Sequence, residues 1–291
     1  MATATEQLER TRAPPILSYS NGARVAEMVV GGLLLITILE IVLRFDIRDP
    51  ALWARYGPSF ARGFWGTLGY IALTLPISVI VGFIAGWARV SGHRLLAWPA
   101  SAFVDFFRGV PPIVVLLFAF LFGVNFIPLR IQLFFQDTFN LPSNSLPFAL
   151  AAIAIALHSG AYQAEIFRAG FQSVSRGQVE AAEALGLRRF QTMASIILPQ
   201  TVRLSLPPLG NEFAVLIKDT SLLGALGGTE LVGLALEFTS QSTTSGGPVI
   251  WALAIWTSIA LTYFVMTFLV TRALRLVERR YRTPGLEVLS L

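Results

Sequence analysis

The chain has 291 residues, of which 54% are hydrophobic and 13% are charged, and this composition excludes an ordinary water-soluble domain. It contains no cysteine, which excludes disulfides and thiolate metal sites. The formal net charge of +5 is explained by membrane topology, so it gives no reason to predict nucleic-acid binding.

Apolar blocks along the chain are long enough to cross a hydrocarbon layer of about 30 Å, which takes roughly 20 helical residues. Two of them, Phe64 to Ala88 and Pro248 to Val270, carry no charge at all. The sequence therefore predicts an all-α, polytopic helical membrane protein with about six transmembrane helices. The predicted spans lie at about residues 25–44, 63–88, 108–129, 146–168, 200–222 and 248–271.

Another apolar stretch, residues 222–236, lies between the fifth and sixth predicted spans. It is short and rich in glycine, which favours a re-entrant or interfacial segment. If it crossed the membrane instead, the C-terminus would lie on the opposite side.

Arginines set the orientation, because basic residues concentrate in cytoplasmic segments. They are most frequent in the segments that lie inside if both termini are cytoplasmic, above all from Arg272 to Arg282. Residues 1–24 are then a cytoplasmic N-terminal tail, and residues 284–291 are a cytoplasmic C-terminal tail. The first residues lack a small-residue cleavage site, so a tail is favoured over a signal peptide.

A polar cytoplasmic loop at 171–199 separates the fourth and fifth predicted spans. Ser175 and Gln178 have capping-box spacing, and the residues from Glu180 to Leu185 favour a helix. Gly186 is placed to end that helix in the left-handed conformation. On composition alone the loop could also be a solvated connector without a binding role.

The loop carries a longer motif. Glu180-Ala181-Ala182, three residues, Gly186, nine residues, Ile196, one residue and Leu198-Pro199 match the EAA loop of permease subunits of ATP-binding-cassette importers. Residues 108–112, 161–170, 177–187 and 216–222 resemble segments of the polar amino-acid (histidine/glutamine/arginine type) permease family. Val110 in place of Thr and Ala169 in place of Gly depart mildly from that family's pattern.

The resemblance covers roughly residues 60–283, the expected permease transmembrane domain with its coupling loop at 171–199. Residues 25–59 form an additional N-terminal transmembrane helix and outer loop, ahead of a five-span core. The chain is identified as a member of a family whose permeases lie in the bacterial cell (inner) membrane.

Membership implies a division of labour between several proteins. The expected partners are two ATP-binding-cassette ATPase subunits, a second permease subunit (the same or paralogous), an extracytoplasmic amino-acid-binding protein and the lipid bilayer. The chain itself has no phosphate-binding Gly-x-x-x-x-Gly-Lys-Ser/Thr loop, so it is expected to be no enzyme, with no catalytic residue, cofactor or metal. The coupling residues expected to meet the ATPase are Gln178, Glu180, Ala181, Ala182, Glu183, Gly186, Arg188 and Pro199.

Polar side chains in the fifth predicted span point to the substrate pathway, since charged groups inside a membrane helix usually face a cavity or a partner. Glu212, at mid-depth, is the strongest candidate. Lys218, the only lysine in the chain, and Asp219 could instead form a structural ion pair or lie among the outer headgroups. The expected pathway residues are Asn211, Glu212, Lys218, Asp219, Thr220 and Ser221.

Three other polar residues in the fourth span have simpler interpretations. His158 is expected to form a hydrogen bond between helices, because one imidazole makes no metal site. Glu165 and Arg168, three residues apart, are expected to pair with each other.

Two other functions fit a polytopic protein. A secondary transporter would show inverted repeats and intramembrane carboxylates in corresponding halves, which the sequence lacks. A scaffold or sensor would have no polar groups at mid-depth in the fifth span. Neither alternative requires the EAA loop.

Overall fold

The computed structural model describes residues 21–139, 145–244 and 249–281, so most of the predicted N-terminal tail and the whole of 284–291 lie outside it. All regular elements within these ranges are helical, which confirms the all-α fold. Two compact units divide the chain, residues 1–48 and 49–291. The predicted boundary at residue 60 falls inside a continuous helix.

The described part of the first unit consists of one helix, α1 (Asn21–Leu43), which covers nearly all of the first predicted span. Its apolar part, Val29–Val42, is shorter than a full membrane crossing.

The second unit contains the remaining helices, and a π-helical turn, Met193–Ile197, joins the eighth to the ninth. They are α2 (Pro50–Val90), α3 (Arg94–Gly109), α4 (Pro112–Phe126), α5 (Leu129–Phe139), α6 (Ser145–Gln172), α7 (Arg176–Ala184), α8 (Arg189–Thr192), α9 (Leu198–Asp219), α10 (Leu222–Ala225), α11 (Leu231–Thr244) and α12 (Val249–Tyr281).

Three of these helices are long and apolar enough to cross a membrane: α2, α6 and the Ile250–Val277 part of α12. The bent pair of α3 and α4 passes the same test if it is taken as one span. With 22 residues, α9 is about 33 Å long, but it is more polar than the others. The membrane fold is confirmed, while the count of six spans stays a prediction.

The third predicted span, 108–129, is wrong as one straight helix. Arg108 and Gly109 belong to α3, which sequence reasoning did not predict, and the chain bends by 105° before α4. Pro111 lacks a backbone N–H and forces the preceding Val110 out of the helical region, to φ −109° and ψ 133°.

Helix α6 is the centre of the second unit, packed against α2, α4 and α9. Small residues allow this close approach, as in many membrane helix pairs. A Cβ atom on Gly82 of α2 would lie 2.6 Å from Cβ of Gln163, and one on Gly86 would lie 2.7 Å from the Ala164 carbonyl oxygen. The polar side chains of α6 are therefore held directly against neighbouring helices.

Candidate functional site: the coupling loop and the polar interior

The coupling loop, residues 171–199, contains a short helix, α7, that has a well-defined end. At the end of α7, the N–H of Leu187 bonds the carbonyl of Ala182 at 3.0 Å, and the N–H of Gly186 bonds that of Glu183 at 2.9 Å. These two bonds form a Schellman motif. Gly186 has φ +76° with open space around it, so the backbone conformation, and not crowding, requires glycine. The predicted helix stop is confirmed.

The start of α7 differs from the prediction. The capping box on Ser175 and Gln178 is wrong, because the Ser175 side chain makes no capping hydrogen bond. The N–H of Gln178 bonds the Ser175 carbonyl instead, at 3.1 Å. A side-chain cap occurs one helix later, where Gln191 Oε1 accepts the N–H of Arg188 at 2.8 Å.

Most of the predicted coupling residues lie on the surface of the loop. Ala182 is the exception, since it is buried against the rest of the chain and so acts as a packing residue. Two large apolar side chains that sequence reasoning missed, Leu185 and Phe190, are each 82% exposed. The sequence pattern that could have identified them is a pair of large apolar residues on either side of Gly186 in an otherwise polar loop. The exposed predicted residues are Gln178, Glu180, Ala181, Glu183, Gly186, Arg188 and Pro199.

The far end of the loop is anchored in the helical core. Met193 and Ile197, in the π-helical turn, pack against a cluster that includes Phe171 of α6 and Phe213 of α9. A Cβ atom on Gly170 would meet the Ser205 hydroxyl of α9 at 2.5 Å, so α6 and α9 lie in close contact here. The far end of the loop is therefore in contact with both helices.

A chain of polar side chains crosses the interior from α2 through α6 to α9. Gln163 Nε2 donates to the hydroxyls of Ser78 at 2.8 Å and Ser159 at 3.1 Å. The Ser159 hydroxyl in turn donates to Glu212 Oε1 at 2.7 Å. Glu212 is half-buried, about 21 Å along the axis of α9 from its start. Its partner Ser159 was not predicted, because only the fold brings α6 and α9 together.

Two of the other predicted pathway residues lie on a different face of α9 from Glu212. Asn211 and Lys218 are exposed on the face of α9 that also exposes Pro207 and Val215, at spacings of three to four residues. Asn211 and Pro207 line an open cavity of about 300 Å³ between α9 and α12, where Arg275 also lies.

The outer end of α9 forms a tight turn. Thr220 is buried and its hydroxyl donates to the Ile217 carbonyl at 2.8 Å, while the N–H of the half-buried Ser221 bonds the Lys218 carbonyl. Within the described residues, the half-buried Asp219 makes no ion pair with Lys218.

Sequence reasoning missed a fully buried carboxylate, Glu230, just before α11. It accepts the N–H of Gly233 at 2.7 Å, the Tyr263 hydroxyl of α12 at 2.8 Å and the Thr67 hydroxyl of α2 at 3.4 Å. These four residues are the Glu230 cluster. Residues 222–244 contain two separate short helices, α10 and α11. The longer one, α11, has 14 residues and is about 21 Å long, which is too short to cross the membrane. This supports the re-entrant interpretation of residues 222–236. A carboxylate within a Gly-rich apolar stretch was the available signal.

The α3–α4 break is held by one face of α6. The His158 side chain lies next to the backbone of Val110, and the Arg108 guanidinium lies 5.5 Å from the centre of the Tyr162 ring. Glu165 bonds Arg168 at 2.7 Å, which confirms the predicted pair, and it also bonds Arg108 at 2.9 Å. The described residues include no group of three metal-ligating side chains.

Comparison with known proteins gives consistent results. Residues 78–283 match the model of a family described as "Binding-protein-dependent transport system inner membrane component". The chain is 34% identical to the glutamine transport system permease protein GlnP of Escherichia coli over 233 residues, 80% of this chain and 96% of the relative. It is 32% identical to the L-cystine transport system permease protein TcyB of Bacillus subtilis over 242 residues, 83% of this chain and 93% of the relative.

Among solved structures, the chain is similar to an amino acid ABC transporter crystallised with histidines. That match has 31% identity and a TM-score of 0.62, and it covers 80% of this chain and 98% of the other.

Proposed function

Because the chain belongs to the family of inner membrane components of binding-protein-dependent transport systems, we propose that it is the permease subunit of an importer for polar amino acids. In this proposal ATP is hydrolysed by two separate ATP-binding-cassette ATPase subunits, and a binding protein outside the membrane delivers the substrate. The coupling loop carries the proposal: it presents an exposed, rigidly ended helix and is anchored in the core at its other end.

The substrate class is supported by the relatives, which are named as glutamine, cystine, glutamate and arginine transport permeases. The interior of this chain suits a polar solute. Glu212 and Ser159 place a carboxylate and a hydroxyl about two-thirds of the way along α9, where an amino acid with a free ammonium group would find acceptors.

The coupling loop has the properties of a lever. The Schellman motif fixes the direction in which the chain leaves α7, and the π-helical turn packs against both α6 and α9. When the ATPase pair closes, movement of α7 is passed to these two helices, which rock the pathway between its outward-open and inward-open states. Leu185 and Phe190 add an apolar contact that an ATPase groove would bury.

The second permease subunit is expected against the open face of α9. That face carries Asn211, Val215 and Lys218, a mixture of polar and apolar side chains that suits a pathway between two subunits better than lipid. The positive-inside distribution of arginines supports a cytoplasmic location for both termini and for the coupling loop.

Gly186→Val tests the lever. A β-branched residue is strained at φ +76° by about 1–3 kcal/mol, so the turn distorts and we expect substrate uptake to fall at least about tenfold. ATP hydrolysis should continue without its response to the loaded binding protein. Both rates are measured on the complex reconstituted in liposomes.

Two glycines provide matched controls. Gly177→Val lies in the same helix with open space and no left-handed backbone, and Gly92→Val introduces comparable strain, at φ +75°, in a loop elsewhere. Both should retain uptake. Normal uptake by Gly186→Val would contradict the lever, and equal loss in Gly92→Val would indicate general destabilisation instead.

A further inference from the structure

Three arginines surround one carboxylate where α2, α3 and α6 meet. Glu165 Oε1 accepts Nη1 of Arg89 at 2.6 Å and Nη1 of Arg108 at 2.9 Å, and Glu165 Oε2 accepts Nε of Arg168 at 2.7 Å. We refer to Arg89, Arg108, Arg168 and Glu165 as the arginine cluster. Asp105, one turn before Arg108 on α3, makes no ion pair within the described ranges. The one carboxylate therefore leaves two positive charges without a counter-charge.

The cluster also has more hydrogen-bond donors than acceptors. A guanidinium carries five N–H groups, yet the described residues give Arg89 one acceptor, Glu165, although its side chain is only 16% exposed. A charge held this far from water is costly unless its donors are satisfied. Arg108 is the most open member, at 42% exposure. The unmatched guanidinium donors and the surplus positive charge suit an anionic ligand with several oxygen acceptors.

Helix α3 indicates what surrounds the cluster. Leu95, Trp98, Ala102 and Phe106 lie at spacings of three, four and four residues, and all are exposed, while Val104 on the opposite side is buried. An amphipathic helix that leaves its apolar stripe uncovered by protein lies in the membrane–water interface. The arginine cluster, at the C-terminal end of α3, is therefore at the depth of lipid headgroups.

We propose that the arginine cluster binds the phosphate group of an anionic phospholipid, whose acyl chains lie along the exposed stripe of α3. Guanidinium groups match phosphate oxygens with paired hydrogen bonds, and basic pockets between membrane helices suit anionic headgroups. The lipid would tie together three helix ends beside the α3–α4 break. The lipid would lie in the inner leaflet, a placement that rests on the orientation given under the proposed function.

The test is native mass spectrometry of the full chain in detergent, titrated with phosphatidylglycerol or with phosphatidylcholine of the same acyl chains. The wild-type chain should retain phosphatidylglycerol in preference. Arg108→Gln removes one charge-assisted hydrogen bond and should weaken phosphatidylglycerol binding about tenfold. Glu165→Gln removes the competing carboxylate and should strengthen that binding severalfold. Arg130→Gln, an exposed arginine on α5, should leave it unchanged.

Arg108→Gln is expected to weaken phosphatidylglycerol binding and Glu165→Gln to strengthen it, and these opposite effects distinguish a lipid site from a structural ion cluster. If the cluster only held helices together, Glu165→Gln would weaken lipid retention or leave it unaltered, and either result would overturn the proposal. Equal retention of the two lipids, or displacement of phosphatidylglycerol by millimolar inorganic phosphate, would do the same. If Glu165→Gln does not fold, the test is the ratio of the phosphatidylglycerol dissociation constants of Arg108→Gln and Arg130→Gln. A ratio of about ten supports the lipid site, and a ratio near one overturns it. Because no ATPase is present, a negative result leaves the transport proposal standing.

Discussion

The coupling loop and residues 222–244, which we call the re-entrant segment after the interpretation proposed for 222–236, both interrupt the long helices, but they are stabilised in different ways. In the coupling loop, the bonds that fix the turn join residues close in sequence, such as Leu187 with Ala182. In the re-entrant segment, Glu230 bonds Thr67, 163 positions away, and Tyr263, 33 positions away. The first structure is encoded locally, whereas the second exists only when three distant helices meet.

The largest effect that this comparison predicts is for Glu230→Ala. The substitution leaves the Thr67 hydroxyl, the Tyr263 hydroxyl and the N–H of Gly233 without their shared acceptor in a buried site. We expect a loss of about 3–5 kcal/mol in the free energy of unfolding, and little protein accumulating in the membrane. Thermal unfolding in detergent and the yield of the purified chain measure it.

Glu237→Ala is the matched control, on α11, the helix that begins directly after Glu230. Glu237 is exposed and its bond to Gln241 lies on the surface, so we expect a change below about 0.5 kcal/mol. If Glu230→Ala were as stable as Glu237→Ala, the re-entrant segment would not depend on its buried carboxylate, and the contrast with the coupling loop would disappear.

A smaller effect is expected where the re-entrant segment touches α2. A Cβ atom on Gly66 would overlap the carbonyl oxygen of Thr229, next to Glu230. Gly66→Ala should therefore push the segment away from α2 and lower the free energy of unfolding by about 1–3 kcal/mol, which a melting curve detects. Gly69→Ala, one turn further along α2, meets nothing within 4 Å and should leave the melting temperature unchanged or slightly raised. Equal melting temperatures for the two variants would refute this packing.

The same division explains what the sequence could predict. Apolar length located the helices that became α2, α6 and α12, and glycine chemistry located the turn at Gly186, because both signals are local. The α3–α4 break was missed although Val110-Pro111-Pro112 marks it, since the apolar run after it dominated the interpretation of 108–129 as one span.

The interior of the site was predicted only in part, for the same reason. Glu212 was singled out as a candidate because a charged residue within a membrane helix is recognisable from the sequence alone. Its partner Ser159 and the Glu230 cluster depend on which helices pack together, and residue spacing within a single span does not contain that information. The extra arginines on Glu165 are a further example, since two of the three come from other helices.

Glu212 combines both kinds of feature. Its charge can be recognised from the local sequence, but its hydrogen bond to Ser159 depends on tertiary packing. Loss of the Ser159 bond in Glu212→Ala should cost only about 0.6 kcal/mol of stability, so assembly with the ATPase subunits should continue. Removing the carboxylate from the proposed pathway should still lower uptake severalfold, measured with labelled amino acids in proteoliposomes. Ser159→Ala removes the same bond but keeps the carboxylate, and should retain most of the uptake. Unchanged uptake kinetics in Glu212→Ala would exclude Glu212 from the pathway.

The smallest expected effect separates two caps within the coupling loop. Gln191→Ala removes the acceptor of the Arg188 N–H and should cost about 0.5–1 kcal/mol locally, which raises amide exchange at Arg188 about two- to fivefold. Ser175→Ala should leave the exchange of α7 unchanged, because the Ser175 hydroxyl makes no capping bond. Hydrogen exchange over residues 175–192 measures both. Faster exchange at Gln178 in Ser175→Ala would show that the hydroxyl caps α7 after all, and that the loop follows its local sequence at both ends.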